Sequence, residues 1–428
     1  MSLLSGQKPR NEVYSKLVLL SLLAVSPVSA QQDVPLTLAA AEALAMADDP
    51  GRDAMLAQAD ALDDQSVAAN QLPEIKLRMG LANFPIESGG FSTEGMTQAQ
   101  LGLRMEFPPG GTLEARARQF DFLATEMRET AEGRDRDVLA SVRSAWLDTY
   151  YWQRTHAIVD EVRPFFVDLA NVTRSLYSVG RKNQQDLLRA ELELSRLDDR
   201  LIEISNQHSV AIAMLSEWIG ADANRHLAEK LPDWSALPPR SQLQSSLLEH
   251  PAVNAANARI EAKEAGIDVA EEDHKSGWTW DLGYGYRDGM LSDGTPRSDF
   301  VSLSVTMDLP FFRNERQGRQ LSAAFSERRA AEASKSELIR RLNSRLEAEY
   351  ARWTELSRRI ALYEAQILTQ AAANARASLV AYQSDASDFA NVMRAYIDDL
   401  NARVEHIKLQ VERAKSFAVL ANFGGIPR

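Results

Sequence analysis

Cysteine is absent from the chain, which excludes disulfides, thiolate metal ligands, cysteine nucleophiles and a lipidated N-terminal cysteine. A basic excess is absent too. The 428 residues carry a formal charge of −12, which argues against nucleic-acid binding, since that needs a basic face. Beyond the N-terminus no apolar run reaches the roughly 18 residues of a membrane-spanning helix. Insertion into a bilayer would therefore have to be by β-strands. Catalytic signatures are also missing. The six histidines (His156, His208, His226, His250, His274, His406) have no i, i+4 partner and no HExxH setting, and each reads as a surface or interface residue. There is no phosphate loop and no GxSxG. The sequence offers no catalytic residue, metal ligand set or cofactor site, and it does not read as an enzyme.

What is present starts with a secretory signal. Lys8, Arg10 and Lys16 form a basic region, Leu17 to Val25 an apolar one, and "VSA" ending at Ala30 supplies the small residues before a cleavage site. The segment 1–30 carries a net +2, so the expected mature charge is −14.

Glycine and proline are nearly absent from two long stretches. Residues 112–179 contain only Pro164 and Gly133 and are dense in helix-forming residues. A helix of that length spans about 100 Å at 1.5 Å per residue. It ends at "YSVG", with Gly180 at a C-cap position. Residues 314–382 repeat the pattern. Return helices are expected over 186–218 and 388–421, and Ala-rich helices over 36–70, with Thr37 as N-cap, and from Leu247 onwards. Between the halves, 219–241 is proline-rich and irregular, and 422–428 forms a tail. The offsets Pro50 to Pro251, Pro108 to Pro310 and Tyr177 to Tyr382 are 201, 202 and 205. Near-constant spacing over helix, strand and turn landmarks reads as an internal duplication: 31–218, then 242–421.

Each half also holds a stretch of period 2. In 75–107, Ile75, Leu77, Met79 and Leu81, and then Ala99, Leu101, Leu103, Met105 and Phe107, alternate with polar or small residues around a polar loop. In 278–309 the same holds for Trp278, Trp280, Leu282, Tyr284 and Tyr286, then Val301, Leu303, Val305, Met307 and Leu309. These are hairpins of about ten residues per strand, the length a membrane strand needs. Leu77, Leu101, Trp280, Tyr284, Leu303 and Val305 are expected to face lipid. Met79, Met105 and Met307 share that face, so they read as lipid contacts rather than metal ligands. Four strands cannot close an open barrel, so the barrel must be shared between chains, and three chains supply 12 strands.

"YSVGRKNQQDLLRAELEL" (Tyr177 to Leu194) and "LPFFRNERQGRQLSAA" (Leu309 to Ala324), set in this repeat, resemble the TolC-like outer membrane efflux proteins. "YRDGMLSDG" with the second motif is more similar to the heavy-metal (CzcC/CusC-like) branch. The resemblance covers nearly the whole mature chain. It implies a mostly α fold with a membrane β-barrel. A homotrimer would join a 12-stranded barrel in the outer membrane of a Gram-negative bacterium to a 12-helix periplasmic tunnel. It implies the exit duct of a tripartite pump with a periplasmic adaptor (membrane fusion) protein and an inner-membrane RND-type transporter, outer-membrane lipid around the barrel, and no nucleic acid. Segment 219–241 and both termini would form an equatorial belt.

By that resemblance Tyr177, Gly180, Arg181, Lys182, Tyr382 and Ser384 belong to the periplasmic tip that meets the adaptor. Asp186, Asp385, Asp388, Asn391 and Arg394 are candidate gate residues. The chain departs from the pattern at Asp385, where the family usually has glycine, and at Asn391 and Arg394, where acids are frequent. A ring of carboxylates on a three-fold axis favours cations; the same acids also read as helix caps or tip-surface charges. Two alternatives stand beside the efflux duct, namely the duct of a type I protein secretion system and a soluble periplasmic coiled-coil scaffold.

Overall fold

The computed structural model describes residues 34–181, 183–384 and 386–424. The signal segment, Lys182, Asp385 and the end of the tail lie outside the described residues. The elements in order are α1 (Leu38–Ala47), α2 (Pro50–Ala69), β1 (Lys76–Ala82), β2 (Gln98–Phe107), α3 (Thr112–Ser178), α4 (Gln184–Ile219), α5 (Arg240–Leu247), α6 (Pro251–Glu272), β3 (Trp278–Tyr286), β4 (Phe300–Met307), α7 (Gln317–Leu362), α8 (Leu368–Gln383) and α9 (Phe389–Asn422). A short 3-10 turn, Gly220–Asn224, follows α4.

Local chemistry sets the helix ends. Thr37 caps α1, its hydroxyl accepting the Ala40 N–H at 3.2 Å. Pro50 and Pro251 open α2 and α6, where a missing N–H costs nothing. Asp49 caps α2 and accepts two hydrogen bonds from Arg134 of α3, at 2.7 and 2.8 Å, which hold its carboxyl below the usual range. The α6 cap departs from the sequence expectation for histidines. His250 is buried, and its Nδ1 accepts the Ala252 N–H at 3.1 Å.

α3 is unbroken for 67 residues and keeps Pro164 inside it. Its counterpart starts three residues later than the sequence suggests, because Asn314, Glu315 and Arg316 form turns ahead of Gln317. It is also interrupted by a π-helical turn, Tyr363–Ile367, between α7 and α8.

The helices pack around α3 in two main cores. One joins Leu36, Leu38, Trp146, Leu147, Tyr150, Leu215, Leu227 and Val411. The other joins Val159, Phe166, Leu197, Ile204, Tyr382, Phe389, Val392 and Leu400. The proline-rich segment 219–241 is fastened to the first core. Leu36 and Leu227 form a parallel bridge, Tyr150 Oη donates to the Glu229 carbonyl at 2.9 Å, and Trp234 stacks on Phe417 with centroids 4.8 Å apart. Its prolines suit an extended strap that needs few backbone donors.

The four strands form one antiparallel sheet in the order β1-β2-β3-β4. The two hairpins are therefore joined, Phe107 opposite Trp278 and Ala99 opposite Tyr286. Among the described residues no helix is long and apolar enough to cross a membrane.

Candidate functional site

Two regions hold the residues singled out from sequence, the sheet and the helical tip. In the sheet the register sorts side chains by parity. One face collects Leu77, Met79, Leu81, Leu101, Leu103, Trp280, Leu282, Tyr284, Val301, Leu303 and Val305 on adjoining strands. All are exposed on the isolated chain. So large a continuous apolar surface is not left facing water. The other face carries Lys76, Arg78, Gln98, Gln100, Arg104, Glu106, Asp281, Ser302, Ser304 and Thr306. Arg104 and Asp281 pair across β2 and β3 through two bonds, 2.8 and 3.3 Å, and Lys76 and Glu106 pair across β1 and β2 at 2.6 Å. β1 and β4 are edges, each with one side unpaired by any described strand.

The loops at the open end of the hairpins are tied to each other. One Arg297 nitrogen donates to the Ser92, Glu94 and Asp288 carbonyls, each at 3.1 Å. Arg287 donates to the Gly95 carbonyl and lies 3.8 Å over the Phe300 ring, and Phe91 stacks on Tyr286. At the opposite end, Glu272 of α6 accepts the Gly111 N–H at 2.7 Å and anchors the β2–α3 junction. Its carboxyl is held down by Lys275 first and by that N–H second.

At the tip, α3 closes with the two bonds of a Schellman motif. The Arg181 N–H reaches the Leu176 carbonyl and the Gly180 N–H the Tyr177 carbonyl, both at 2.9 Å. Gly180 has φ +72°, a conformation glycine adopts without Cβ strain. α8 ends with the corresponding six-to-one bond, Ala386 N–H to the Ala381 carbonyl at 2.8 Å, and Ser384 adds its hydroxyl to the Val380 carbonyl at 3.0 Å. The two halves differ in the tyrosine before each turn. Tyr177 is 41% exposed and Tyr382 only 4%, because Tyr382 packs edge-on against Phe389, whereas Gln184 occupies the matching place in the first half.

The described gate candidates lie at the starts of α4 and α9. Asp186 sits in the first turn of α4, and Asp388 is the N-cap residue of α9 but makes no side-chain cap bond. The Asn391 side chain donates to Ser387 at 3.3 Å, and Arg394 is exposed. Within this chain no hydrogen bond or ion pair among the described residues links Arg181 or Arg394 to Asp186 or Asp388. Arg181 instead lines a groove of about 590 Å³ with Phe165, Leu169, Val172 and Leu176 of α3 and Leu379 and Tyr382 of α8.

The contacts that tie the tip helices together escaped the sequence reading. Arg403 of α9 bridges Asp399 at 2.9 Å and Glu161 of α3 at 3.5 Å. Arg163 pairs with Asp198 of α4 at 2.8 Å, and Phe165 stacks on Tyr396 with centroids 3.7 Å apart. The hint was present as oppositely charged residues on helices expected to lie side by side, but the facing positions need the packing register.

No family profile and no curated protein matches the chain. Solved structures do. The chain is similar to the outer-membrane channel OprN, with a TM-score of 0.76 and 15% identity, over 91% of this chain and 90% of that one. It is similar to CusC, described for its folding and transmembrane channel formation, at TM-score 0.77 and 14% identity, over 92% and 93%. It is also similar to the outer membrane protein VceC from Vibrio cholerae, at TM-score 0.74 and 16% identity, over 91% and 96%. The chain therefore has the fold of these outer-membrane channels along nearly its whole length.

Proposed function

We propose that the chain is the outer-membrane exit duct of a tripartite efflux pump, built as a homotrimer by internal duplication. The observation that carries this is the sheet. It is apolar on one face, charged on the other, and ends in two unpaired edges, and lipid does not tolerate an open edge. Four strands sharing those edges with two further copies give a closed barrel with a polar lumen. α3, α4, α7, α8 and α9 then continue the wall into the periplasm. The likeness to channels such as OprN and CusC supports the same reading.

In this role the chain performs no chemistry. It conducts what an inner-membrane RND-type transporter delivers through a periplasmic adaptor, which docks at the tip around Tyr177, Gly180, Arg181, Lys182, Tyr382 and Ser384. The heavy-metal assignment rests on the junction residues Leu309 to Ala324 and the preceding "YRDGMLSDG", since the CusC and OprN likenesses are equal within 0.01 in TM-score. Deleting the gene and exposing cells to heavy-metal ions and, separately, to dyes, detergents and antibiotics tests both levels. Hypersensitivity to either panel supports an efflux duct, and hypersensitivity to metals alone supports the branch. No change in either, with the protein in the soluble fraction, would overturn the proposal in favour of a scaffold.

A further inference from the structure

The polar face of the sheet is unevenly charged. Its strands carry three cations, Lys76, Arg78 and Arg104, and two anions, Glu106 and Asp281. Arg104 is neutralised by Asp281 and Lys76 by Glu106. Arg78 makes no hydrogen bond or ion pair with any described residue. Its cross-strand row explains why nothing shields it. Arg78 lies opposite Gly102, Gly102 opposite Gly283, and Gly283 opposite Ser302. Two glycines and a serine leave the guanidinium exposed over a concave surface shared with Gln98, Gln100 and Arg104. Nor does the far edge offer an acid, for the polar face of β4 holds Phe300, Ser302, Ser304 and Thr306. A neighbouring copy laid against β1 through β4 would bring hydroxyls from the strand itself, its nearest acid of that parity being Asp308 beyond the strand's end.

We propose that Arg78 sets the charge preference of the barrel, its three copies forming a net-positive band that admits anionic and neutral solutes more readily than cations. This rests on the shared-barrel reading and gives it a substrate class. The loops beyond the strands have the opposite sign, with Glu87, Glu94, Asp288, Asp293 and Asp299 against Arg287 and Arg297. A cation attracted to that mouth meets repulsion one step further in. A cargo of free metal cations would travel against this band, whereas anionic organic solutes would be drawn to it.

The missing cysteines make the test direct. Gln100 lies diagonally across from Arg78 on the same face, about 7–8 Å away by sheet geometry. Full-length chain carrying Gln100→Cys in outer membranes is reacted with methanethiosulfonates bearing either a sulfonate or a trimethylammonium group. Adding Arg78→Gln is expected to lower the anionic-to-cationic rate ratio about threefold at roughly 10 mM ionic strength, where charges are felt over about 30 Å, and to lose its effect near 1 M. Arg78→Lys should leave the ratio as it was. A ratio indifferent to Arg78→Gln at low salt would overturn the role of Arg78 while leaving the duct intact. A Met79→Cys that reacts while Gln100→Cys stays inert would overturn the barrel orientation itself, and the inference with it. Should Gln100→Cys fail to assemble, the reversal potential of otherwise native channels in a potassium chloride gradient reads the same quantity. There Arg78→Glu must shift selectivity toward cations, and no shift overturns the inference.

Discussion

At the scale of single residues, the sharpest expectations concern groups whose environment departs from water. His250 is 6% exposed, caps α6 with Nδ1, and lies near Arg136, Asp137 and Asn422. Burial first and Arg136 second lower its pKa from 6.5, so the folded chain holds it neutral. Well above pH 6.5 it is neutral folded or unfolded, and its contribution is complete. As pH falls from there toward the lower folded value, the unfolded chain takes up a proton that the folded chain resists, and stability is lost. Replacing it by His250→Asn keeps a cap acceptor without a titration. The drop in thermal midpoint between about pH 7.5 and 5.5 should then be smaller than in the parent chain. An equal drop would remove His250 from the account. Gly180 is the simpler case. At φ +72°, with nothing within 4 Å of where a Cβ would sit, Gly180→Ala should cost only the left-handed backbone term, about 1–2 kcal/mol. Hydrogen exchange ought to show it as faster opening of residues 176–186 with the rest of α3 unaffected.

At the scale of elements, each long helix carries an irregularity at a matching place in the repeat. Pro164 lies inside α3, and an offset of 202 to 205 places its equivalent at 366 to 369, at the edge of the π-helical turn Tyr363–Ile367. The proline cannot donate to the Asp160 carbonyl, and the π turn lengthens the loop to a bond from the Leu368 N–H to the Tyr363 carbonyl. His406 of α9 faces this turn, stacking on Tyr363 and touching Glu364 at 3.2 Å. Pro164→Ala restores the missing donor and should slow amide exchange around residues 160–168 by stabilising that stretch, up to the roughly 3 kcal/mol that an internal proline costs. Unchanged exchange there would mean the proline is already accommodated without loss. These irregularities also mark what could be read from sequence. Long helices, strand alternation and the Thr37 cap follow from local periodicity and side-chain chemistry, and the structure has them. The π turn does not, because Leu362 to Leu368 contains no residue that disfavours an α-helix. Pairing of β2 with β3 joins residues about 180 positions apart in sequence, and alternation says which face is apolar without saying which strand is next. Tyr382 and Tyr177 look alike in sequence, yet only Tyr382 meets an aromatic partner, since Phe389 in one half is Gln184 in the other. The tip contacts of Arg403 and Arg163 depend on how three helices are rotated against each other, which composition does not reveal.

At the scale of the whole molecule, the sheet and the helices impose one requirement together. The apolar face of the strands has no partner within this chain, and neither do the outer edges of β1 and β4. Lipid would cover the apolar face but not tolerate the open edges, and water would face both, so further copies that complete the sheet within lipid satisfy the two requirements together. Completion by identical copies that share one orientation in the membrane runs head to tail, β4 of one against β1 of the next, and such an interface makes a ring where its rotation closes and an open filament where it does not. The absence of cysteine lets this be tested without background. Arg78→Cys on β1 combined in turn with Ser302→Cys or Ser304→Cys on β4 places candidate pairs on the polar face at the seam. Mild oxidation of outer membranes should link copies through at least one pair, with bands at two and three chains and no larger species. In the proposed ring of three, extended exposure should drive material into the three-chain band. Cysteines on the apolar face, such as Met79→Cys with Leu303→Cys, share the seam but not the water, and should oxidise more slowly. Ladders running past three would mean an open arrangement and defeat the closed barrel. A chain recovered as an uncrosslinked monomer from the soluble fraction would mean that the apolar face is covered by something other than lipid, and the duct would have to be abandoned.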